Sequence, residues 1–432
     1  MRTFAAIERE ALDWARTLAG IAPGAVVAIQ IGNSPSWPAL FLALMRAGLI
    51  ALPLGQHMEA SELARVFETC RVGALVLPGG KVEPLAPTSP NVWSGVAPDL
   101  LKLTSGTTAA PRVIRFRAGQ LLADCLNICQ TMGLSQEDLN FGVIPFSHSY
   151  GFSNLITPLL ACGVPLVASE ERIPRAVLND LARSGATVFP GMPIFYQKFV
   201  DMESAPVLPR LRLCISAGAP LPKLMAQRFT EQFGQKIHTF YGASECGGIA
   251  YDASASADYV EGFVGRALAG VSIEGPAGEG ASPISVRSAA VGDGYYPGDE
   301  ALVLGAGRFV PADVLSSSDA GLCIEGRASD VINIAGRKLN PVEIEQRVLE
   351  CPGVTQVVVF GVPSALRGEE PIACVTTEPG GDRAVILRFC NANLSSWQRP
   401  KDVWLLHEIP TNERGKVSRK ALAQQYLARA SN

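Results

Sequence analysis

The chain is poor in the residues and patterns on which several large protein classes depend. It has only four histidines in 432 residues, and its ten cysteines form no Cys-x-x-Cys pair. A zinc site needs a tighter cluster than Cys125 and Cys129, which stand four apart in a helical pattern with no histidine near them in sequence. The cysteines read instead as buried free thiols in a reducing cytosol, so the expected location is cytoplasmic. No apolar run reaches the roughly 18 uninterrupted residues of a membrane span. The most apolar stretch, Trp37 to Leu54, is broken by Pro38, Arg46, Gly48 and Pro53. The formal net charge is −3 and no long basic run exists, which excludes nucleic acid or an anionic membrane as the main partner. Neither a Gly-x-x-x-x-Gly-Lys-Ser/Thr loop nor a Gly-x-Ser-x-Gly elbow occurs, which removes the Walker-type nucleotidases and the serine hydrolases of the elbow type. Met1 to Leu18 carries Glu8, Glu10 and Asp13 among apolar residues and reads as an amphipathic helix, not a signal peptide.

What is present is a hydrophobic fraction of 48% against 18% charged residues, the balance of a compact enzyme. The length predicts two or three domains. Val26 to Ile31 is a β-branched run bounded by Pro23-Gly24 and Gly32-Asn33, hence a buried strand. From there the pattern alternates. Helices are predicted over Pro38–Ala47, Ser61–Thr69, Ala118–Thr131, Phe152–Leu160, Pro174–Arg183 and Lys223–Phe233. Strands are predicted over Leu49–Leu52, Ala74–Leu77, Leu100–Leu103, Phe141–Pro145, Val164–Ala168, Ala186–Phe189 and Leu211–Ser216, with residues 78–99 as a loop. Such alternation implies parallel βαβ units. Residues 247–325 are rich in Gly, Ala and Ser and read as small antiparallel β structure. Beyond Asp330 a helix (Pro341–Glu350), two strands (Val354–Phe360, Pro371–Thr376) and a second helix (Ala384–Asn393) suggest a domain of about a hundred residues. The expected fold is α/β: an N-terminal domain, 1–329, of layered α/β subdomains with a β-rich subdomain at about 247–325, followed by a small α+β domain, 330–432.

Five stretches carry chemistry. Leu103-Thr104-Ser105-Gly106-Thr107-Thr108-Ala109-Ala110-Pro111-Arg112 follows a strand and offers four hydroxyls, one glycine and a cation. It reads as a polar turn or, by its density of donors, as a cradle for a triphosphate. Pro145 to Gly151 places His148 at a strand end, either packed or facing a substrate carboxylate. Ser216-Ala217-Gly218-Ala219-Pro220 is a plain strand-to-helix turn or a flat approach for a ring. Tyr241-Gly242-Ala243-Ser244-Glu245 offers an aromatic to stack on a base and a carboxylate suited to Mg²⁺, or is an ordinary loop with a solvated glutamate. Pro410 to Lys416 ends in a lysine on a Gly-hinged loop, a surface charge or a mobile cation for a transient phosphate charge.

Together, Leu103–Arg112, Tyr241–Glu245, Gly326-Arg327-Ala328-Ser329-Asp330 and Pro410–Lys416, in that order, resemble the motifs of the acyl-adenylate-forming superfamily, over essentially Pro23 to Leu422. That superfamily includes acyl-CoA synthetases, peptide-synthetase adenylation domains and firefly luciferase. The resemblance implies that Thr104, Ser105, Gly106, Thr107, Thr108 and Arg112 hold the β- and γ-phosphates of ATP. It implies that Gly218, Ala219, Pro220, Tyr241 and Gly242 line the adenine site, that Ser244 meets the α-phosphate, and that Glu245 binds Mg²⁺. Asp313 and Arg327 become the ribose-side pair, Asp330 a hinge, Gly336 a contact of the pantetheine arm, and Lys416 the transition-state cation. The small domain becomes a mobile lid. Lys416, Glu245, Thr104 and His148 form the implied catalytic set. The chain departs from the family in Ala109 for glycine, Arg112 for lysine and Pro311-Ala312-Asp313 for Thr-Gly-Asp, and it is shorter than most members.

Peptide-synthetase domains place an aspartate in the early pocket stretch; Phe146 to Phe152 has no acidic residue, so an acid without an α-amine is expected. The pocket candidates are His148, Tyr150, Phe152, Gly191, Met192, Phe195, Gly218, Gly242 and Gly247, mostly apolar or small. They favour a fatty acid over an aryl acid. The resemblance implies coenzyme A as the acceptor thiol, with a phosphopantetheinyl carrier protein as the alternative. A catalytically reduced binder of ATP or acyl-AMP is the reading from a different class.

Overall fold

The computed structural model describes residues 2–87, 91, 93, 95–104, 112–275, 280–298, 301–327, 330–335, 337–364, 367–411 and 417–430. The chain divides into two compact units. One comprises Met1–Gly275, Ser285–Pro311 and Asp319–Leu322; the other comprises Pro276–Ile284, Ala312–Ser318 and Cys323–Asn432. The expected boundary at 329/330 therefore falls inside the second unit.

The first unit is built on two large sheets. In one, Val26–Ile29 lies between Ile50–Pro53 and Val72–Val76, all parallel, as buried Val-Val-Ala-Ile on both faces demands. Leu100–Leu103 joins parallel to Ile50–Pro53. Beyond it the pattern turns antiparallel, with Val113–Phe116 and then Gly294–Tyr296 at one edge. The short strand Val82–Pro84, in a stretch expected to be loop, closes the other edge. In the second sheet Leu166–Ala168, Asn140–Gly142, Val188–Gly191, Leu213–Ser216 and Ile237–Ala243 run parallel, and Gly247–Tyr251 and Phe263–Ala267 follow antiparallel. A small antiparallel sheet of Val271–Glu274, Ser285–Ser288, Leu304–Gly305 and Arg308–Phe309 completes this unit. In the second unit Ile332–Ile334, Arg337–Leu339, Val354–Ser364, Gly368–Thr377 and Asp402–Leu405 form a sheet with helices Pro341–Leu349, Arg383–Asn393 and Arg419–Ala430. Ile344, Val348, Val359, Val375 and Ile386 make its core.

Three departures from the sequence pattern have local causes. The expected strand Phe141–Pro145 stops at Gly142. Buried Asn33 takes over the next backbone groups: its Nδ2 donates to the carbonyls of Gly142, Ile144 and Ser169, and its Oδ1 accepts from the Phe146 N–H at 2.9 Å. The expected helix Phe152–Leu160 is wound wide. Thr157 N–H donates to the Phe152 carbonyl five residues back, and Gly163 N–H to that of Pro158. Such π-type turns gather at functional sites. A helix over Pro193–Val200 was not expected, since its run of aromatics carries no clear helical period.

Asp138 ties the second sheet to its surroundings. It accepts from Arg212 at 2.7 and 2.6 Å, from the Thr187 hydroxyl and from the Ser135 N–H. Burial opposes its charge, but these donors outweigh burial and hold the carboxyl below its ordinary value. A depressed carboxylate adds stability that is present above the unfolded-state value and is lost as pH falls through the folded one. Asp138→Asn is therefore expected to destabilise at neutral pH, with the gap to the parent narrowing as pH falls toward about 3. Urea unfolding across that range measures it; a gap independent of pH would contradict the assignment.

Candidate active site

In a parallel α/β sheet, the loops beyond the strands' carboxyl ends make the ligand site. Here those ends belong to Asn140–Gly142, Val188–Gly191, Leu213–Ser216 and Ile237–Ala243, and the sequence-derived residues gather there. Ser216 is registered with Gly191, and Ala217 N–H donates to the Gly191 carbonyl. Gly218 adopts φ +88° and has open space where a side chain would stand, which suits a flat ring against backbone. Tyr241 and Gly242 occupy the end of their strand, Tyr241 buried and Gly242 exposed. The Ser149 hydroxyl donates to that of Ser244 at 3.0 Å, joining the His148 turn to the Tyr241–Glu245 turn. His148 is half-buried, and its Nδ1 accepts from the Tyr150 N–H.

Glu245 is held through both its side chain and its backbone. The Tyr295 hydroxyl donates to its Oε1 at 3.0 Å, and Gly292 N–H donates to its backbone carbonyl. Arg112 lies over the Tyr295 ring, 4.0 Å from its centre. Tyr295 thus links the cation at the end of the hydroxyl-rich loop to the carboxylate. Strand Gly294–Tyr296 places it, because it pairs with Val113–Phe116 directly after that loop. The sequence reading missed Tyr295; only this non-local pairing reveals it. Thr104, at the loop's other end, is closed onto Arg112: its N–H and its hydroxyl both donate to the Arg112 carbonyl. Ser105, Gly106, Thr107, Thr108, Gly336 and Lys416 lie outside the described residues.

Beneath the turn sits a buried ionic chain that was also missed. Lys102, the residue two before Thr104, is 5% exposed. Its ammonium donates to the Ser153 hydroxyl at 3.4 Å and lies 4.5 Å from the centre of the Phe116 ring. The Ser153 hydroxyl also serves the buried Asp124, whose Oδ1 accepts from the Gly248 N–H at 2.9 Å. Burial pushes Asp124 up and Lys102 down, and each charge opposes the other's shift. Glu245 also acts against the downward push of burial on Lys102. Gly247 has φ +71°, and a Cβ there would fall 2.0 Å from the Asp124 carboxylate, so only glycine lets the turn descend onto this group.

The pocket candidates divide. Tyr150 donates its hydroxyl to the Ile215 carbonyl on a central strand of the second sheet. Phe152 packs on Trp37 and Phe41, and Phe195 on Phe189 and Phe199, so both stand in the aromatic core. At Gly191 a Cβ would meet Phe189 at 2.8 Å and Tyr196 at 3.0 Å. Met192 is half-buried next to it. In the second unit, Arg327 donates to Asp313 at 2.9 Å, which unites the expected ribose-side pair. Asp330 accepts from Arg419, which also donates to Glu345 and to the Val359 carbonyl.

In the first unit Ser244, Glu245, Tyr295 and Arg112 thus stand together at the strand ends of an α/β fold. The AMP-binding enzyme family model matches residues 1–99 and 97–296, and the model of the AMP-binding enzyme C-terminal domain matches 343–416. The chain is 28% identical to "Probable CoA ligase CCL9" of Humulus lupulus, over 98% of this chain and 91% of that protein. It is 27% identical to an oxalate–CoA ligase of Arabidopsis thaliana, over 95% and 90%. In fold it resembles ATP-bound MatB from Rhodopseudomonas palustris, with a TM-score of 0.88 at 24% identity over 98% of this chain and 93% of that one. The chain belongs to the AMP-binding enzyme family, the adenylate-forming enzymes, and is an AMP-forming acid–thiol ligase. Among the described residues no helix is long and apolar enough to cross a membrane.

Removing one member of a buried ionic chain costs roughly 3–5 kcal/mol, whereas replacing both ions by apolar groups is often neutral. Asp124→Ala is expected to cost that much in denaturant unfolding, and Lys102→Met with Asp124→Leu to recover most of it. Additive losses in the double variant would show that the two ions are not coupled.

Proposed function

We propose that the protein joins a compact carboxylic acid to coenzyme A in two steps, through an acyl-adenylate. The observation that carries the reading is the convergence of Ser244, Glu245, Tyr295 and Arg112 at the strand ends beside the hydroxyl-rich loop. In the first step a carboxylate oxygen of the acid attacks the α-phosphorus of ATP. The new C–O–P link forms as the bond to pyrophosphate breaks. No protein nucleophile is needed; the task is in-line positioning and neutralisation of charge. Thr104 and Arg112, with Ser105 to Thr108, are assigned to the β- and γ-phosphates. Gly218 and Tyr241 are assigned to the base, Ser244 to the α-phosphate, Asp313 and Arg327 to the ribose, and Lys416 to the charge that builds in the transition state.

The carboxylate oxygens of Glu245 are hard donors of the type Mg²⁺ takes, and the Tyr295 hydroxyl fixes one of them. Mg²⁺ bound there would neutralise phosphate charge. In the second step the thiol sulfur attacks the acyl carbon, and AMP leaves. The names of the curated relatives, CoA ligases of hops and Arabidopsis, support coenzyme A over a carrier protein. We assign the second unit the part of a lid that carries Lys416, with Asp330 at its hinge. The acid is the finer question. The sequence reading favours fatty over aryl acids; Phe152 and Phe195 packed into the core, and the tight setting of Gly191, favour a short or planar acid over a long chain.

Three measurements test this. Lys416→Ala is expected to lower acid-dependent ATP–pyrophosphate exchange by about 100-fold or more while sparing thioester formation from supplied acyl-AMP; unchanged exchange refutes the role. Tyr295→Phe keeps the ring under Arg112 and removes one hydrogen bond to a charged group. It should cost about 10- to 100-fold in the same exchange and raise the Mg²⁺ requirement; a wild-type Mg²⁺ profile would break the link. Across a panel of dicarboxylic, short aliphatic, aryl and long-chain acids, pyrophosphate release should peak at compact acids. A long-chain optimum overturns that preference, and silence with every acid alongside tight nucleotide binding overturns the enzyme reading.

A further inference from the structure

Cys125 and Cys129 alone carried no metal site in the sequence, because a third ligand was missing. The fold supplies it. Cys125 and Cys129 lie one turn apart on helix Ala118–Met132, and Cys162 closes the wide turn Pro158–Cys162 that packs against that helix. The three Sγ atoms all lie within 4.8 Å of one another, and Cys125 and Cys162 are 3.7 Å apart. A zinc ion holds thiolate sulfurs at about 2.3 Å, which sets them about 3.8 Å apart in a tetrahedron. The triangle is therefore already close to the size that a bound ion imposes. Cys125 and Cys129 are buried while Cys162 is half-buried, so one corner opens toward solvent and gives an ion a way in.

We propose that Cys125, Cys129 and Cys162 form a binding site for one soft or borderline divalent d¹⁰ cation, Zn²⁺ or Cd²⁺ by class. The donor set is all sulfur, which selects such ions over Mg²⁺ or Ca²⁺. A divalent ion also leaves less net negative charge in a buried site than a monovalent one would. Three metal–sulfur bonds form as the S–H bonds break, and the protons pass to solvent; water fills the fourth position. Because binding releases those protons, it tightens as pH rises. No oxidant is involved.

The site has a structural consequence. Helix Ala118–Met132 carries Asp124 beside Cys125, and the facing segment carries Ser153 as well as Cys162. These are the two elements whose Asp124 and Ser153 meet beneath the Glu245 turn. An ion on Cys125, Cys129 and Cys162 ties the same two segments together a second time, through ligands that are not part of the Asp124–Ser153 contact.

The test is titration of the full chain with Cd²⁺ alone, after reduction by a phosphine and chelator treatment. One equivalent per chain should raise a sulfur-to-metal charge-transfer band in the ultraviolet and the melting temperature. Cys125→Ser, Cys129→Ser and Cys162→Ser should each weaken binding by at least about tenfold, the loss that even an outer-shell partner's removal produces. Cys323→Ser, at a half-buried thiol in the second unit, should change nothing. Absence of the band at one equivalent, or a band lost only in Cys323→Ser, overturns the site. If the buried variants do not fold, alkylation of the unmodified chain decides. Cd²⁺ must protect Cys125, Cys129 and Cys162 together, and undiminished labelling of Cys162 in its presence overturns the proposal.

Discussion

The first unit turns on one contact: the Tyr295 hydroxyl fixes the Glu245 carboxylate, and so ties a turn of the second sheet to an edge strand of the first. A carboxylate there needs donors and a compensating field, or it neutralises or swings into water. Tyr295 supplies the donor, and Glu245 and Lys102 act on each other through their charges. Each is itself held. Tyr295 sits on an edge strand under Arg112, and Lys102 sits two strands away in the same sheet, against the Ser153 hydroxyl that also serves Asp124. The hydroxyl-rich loop leaves the strand of Lys102 and returns into Val113–Phe116, the partner of the Tyr295 strand, while Glu245 stands on a turn of the second sheet, so the contact joins the two sheets. Moving any of them strains the others.

Around this constraint the fold uses backbone groups released from regular structure. Asn33 bonds carbonyls of Gly142 and Ile144 that would otherwise extend a strand, and so turns the chain into the His148 loop. The wide turns after Phe152 shift Ser153 and Cys162 to where a regular helix would not put them. Gly247 lets the turn after Glu245 press onto Asp124. In each case a local irregularity places a side chain at the site, and in each case its partner is far away in sequence.

Those distances decide what could be read from the chain alone. The alternation of apolar runs and polar turns marked most strands and helices of the first unit, because a strand buried on both faces leaves a continuous apolar segment. The order of Leu103–Arg112, Tyr241–Glu245 and Pro410–Lys416 marked the family, since phosphate and metal chemistry restrict which residues can stand there. The strand Val113–Phe116 was not foreseen, and its antiparallel pairing with Leu100–Leu103 and with Gly294–Tyr296 ends the parallel run. Nothing in a four-residue apolar run records the direction of its neighbour. Phe152 and Phe195 looked like pocket residues because an aromatic reads alike whether it lines a cavity or fills a core.

The sequence by itself determined the α/β class and the family, because hydrophobic periodicity and the order of short motifs carry those. Only the tertiary structure decided what stands behind them: Tyr295 against Glu245, Lys102 and Asp124 through Ser153, and Cys162 beside Cys125 and Cys129. These are contacts between segments tens of residues apart. Their existence depends on strand register and helix winding, quantities that one residue's identity does not encode.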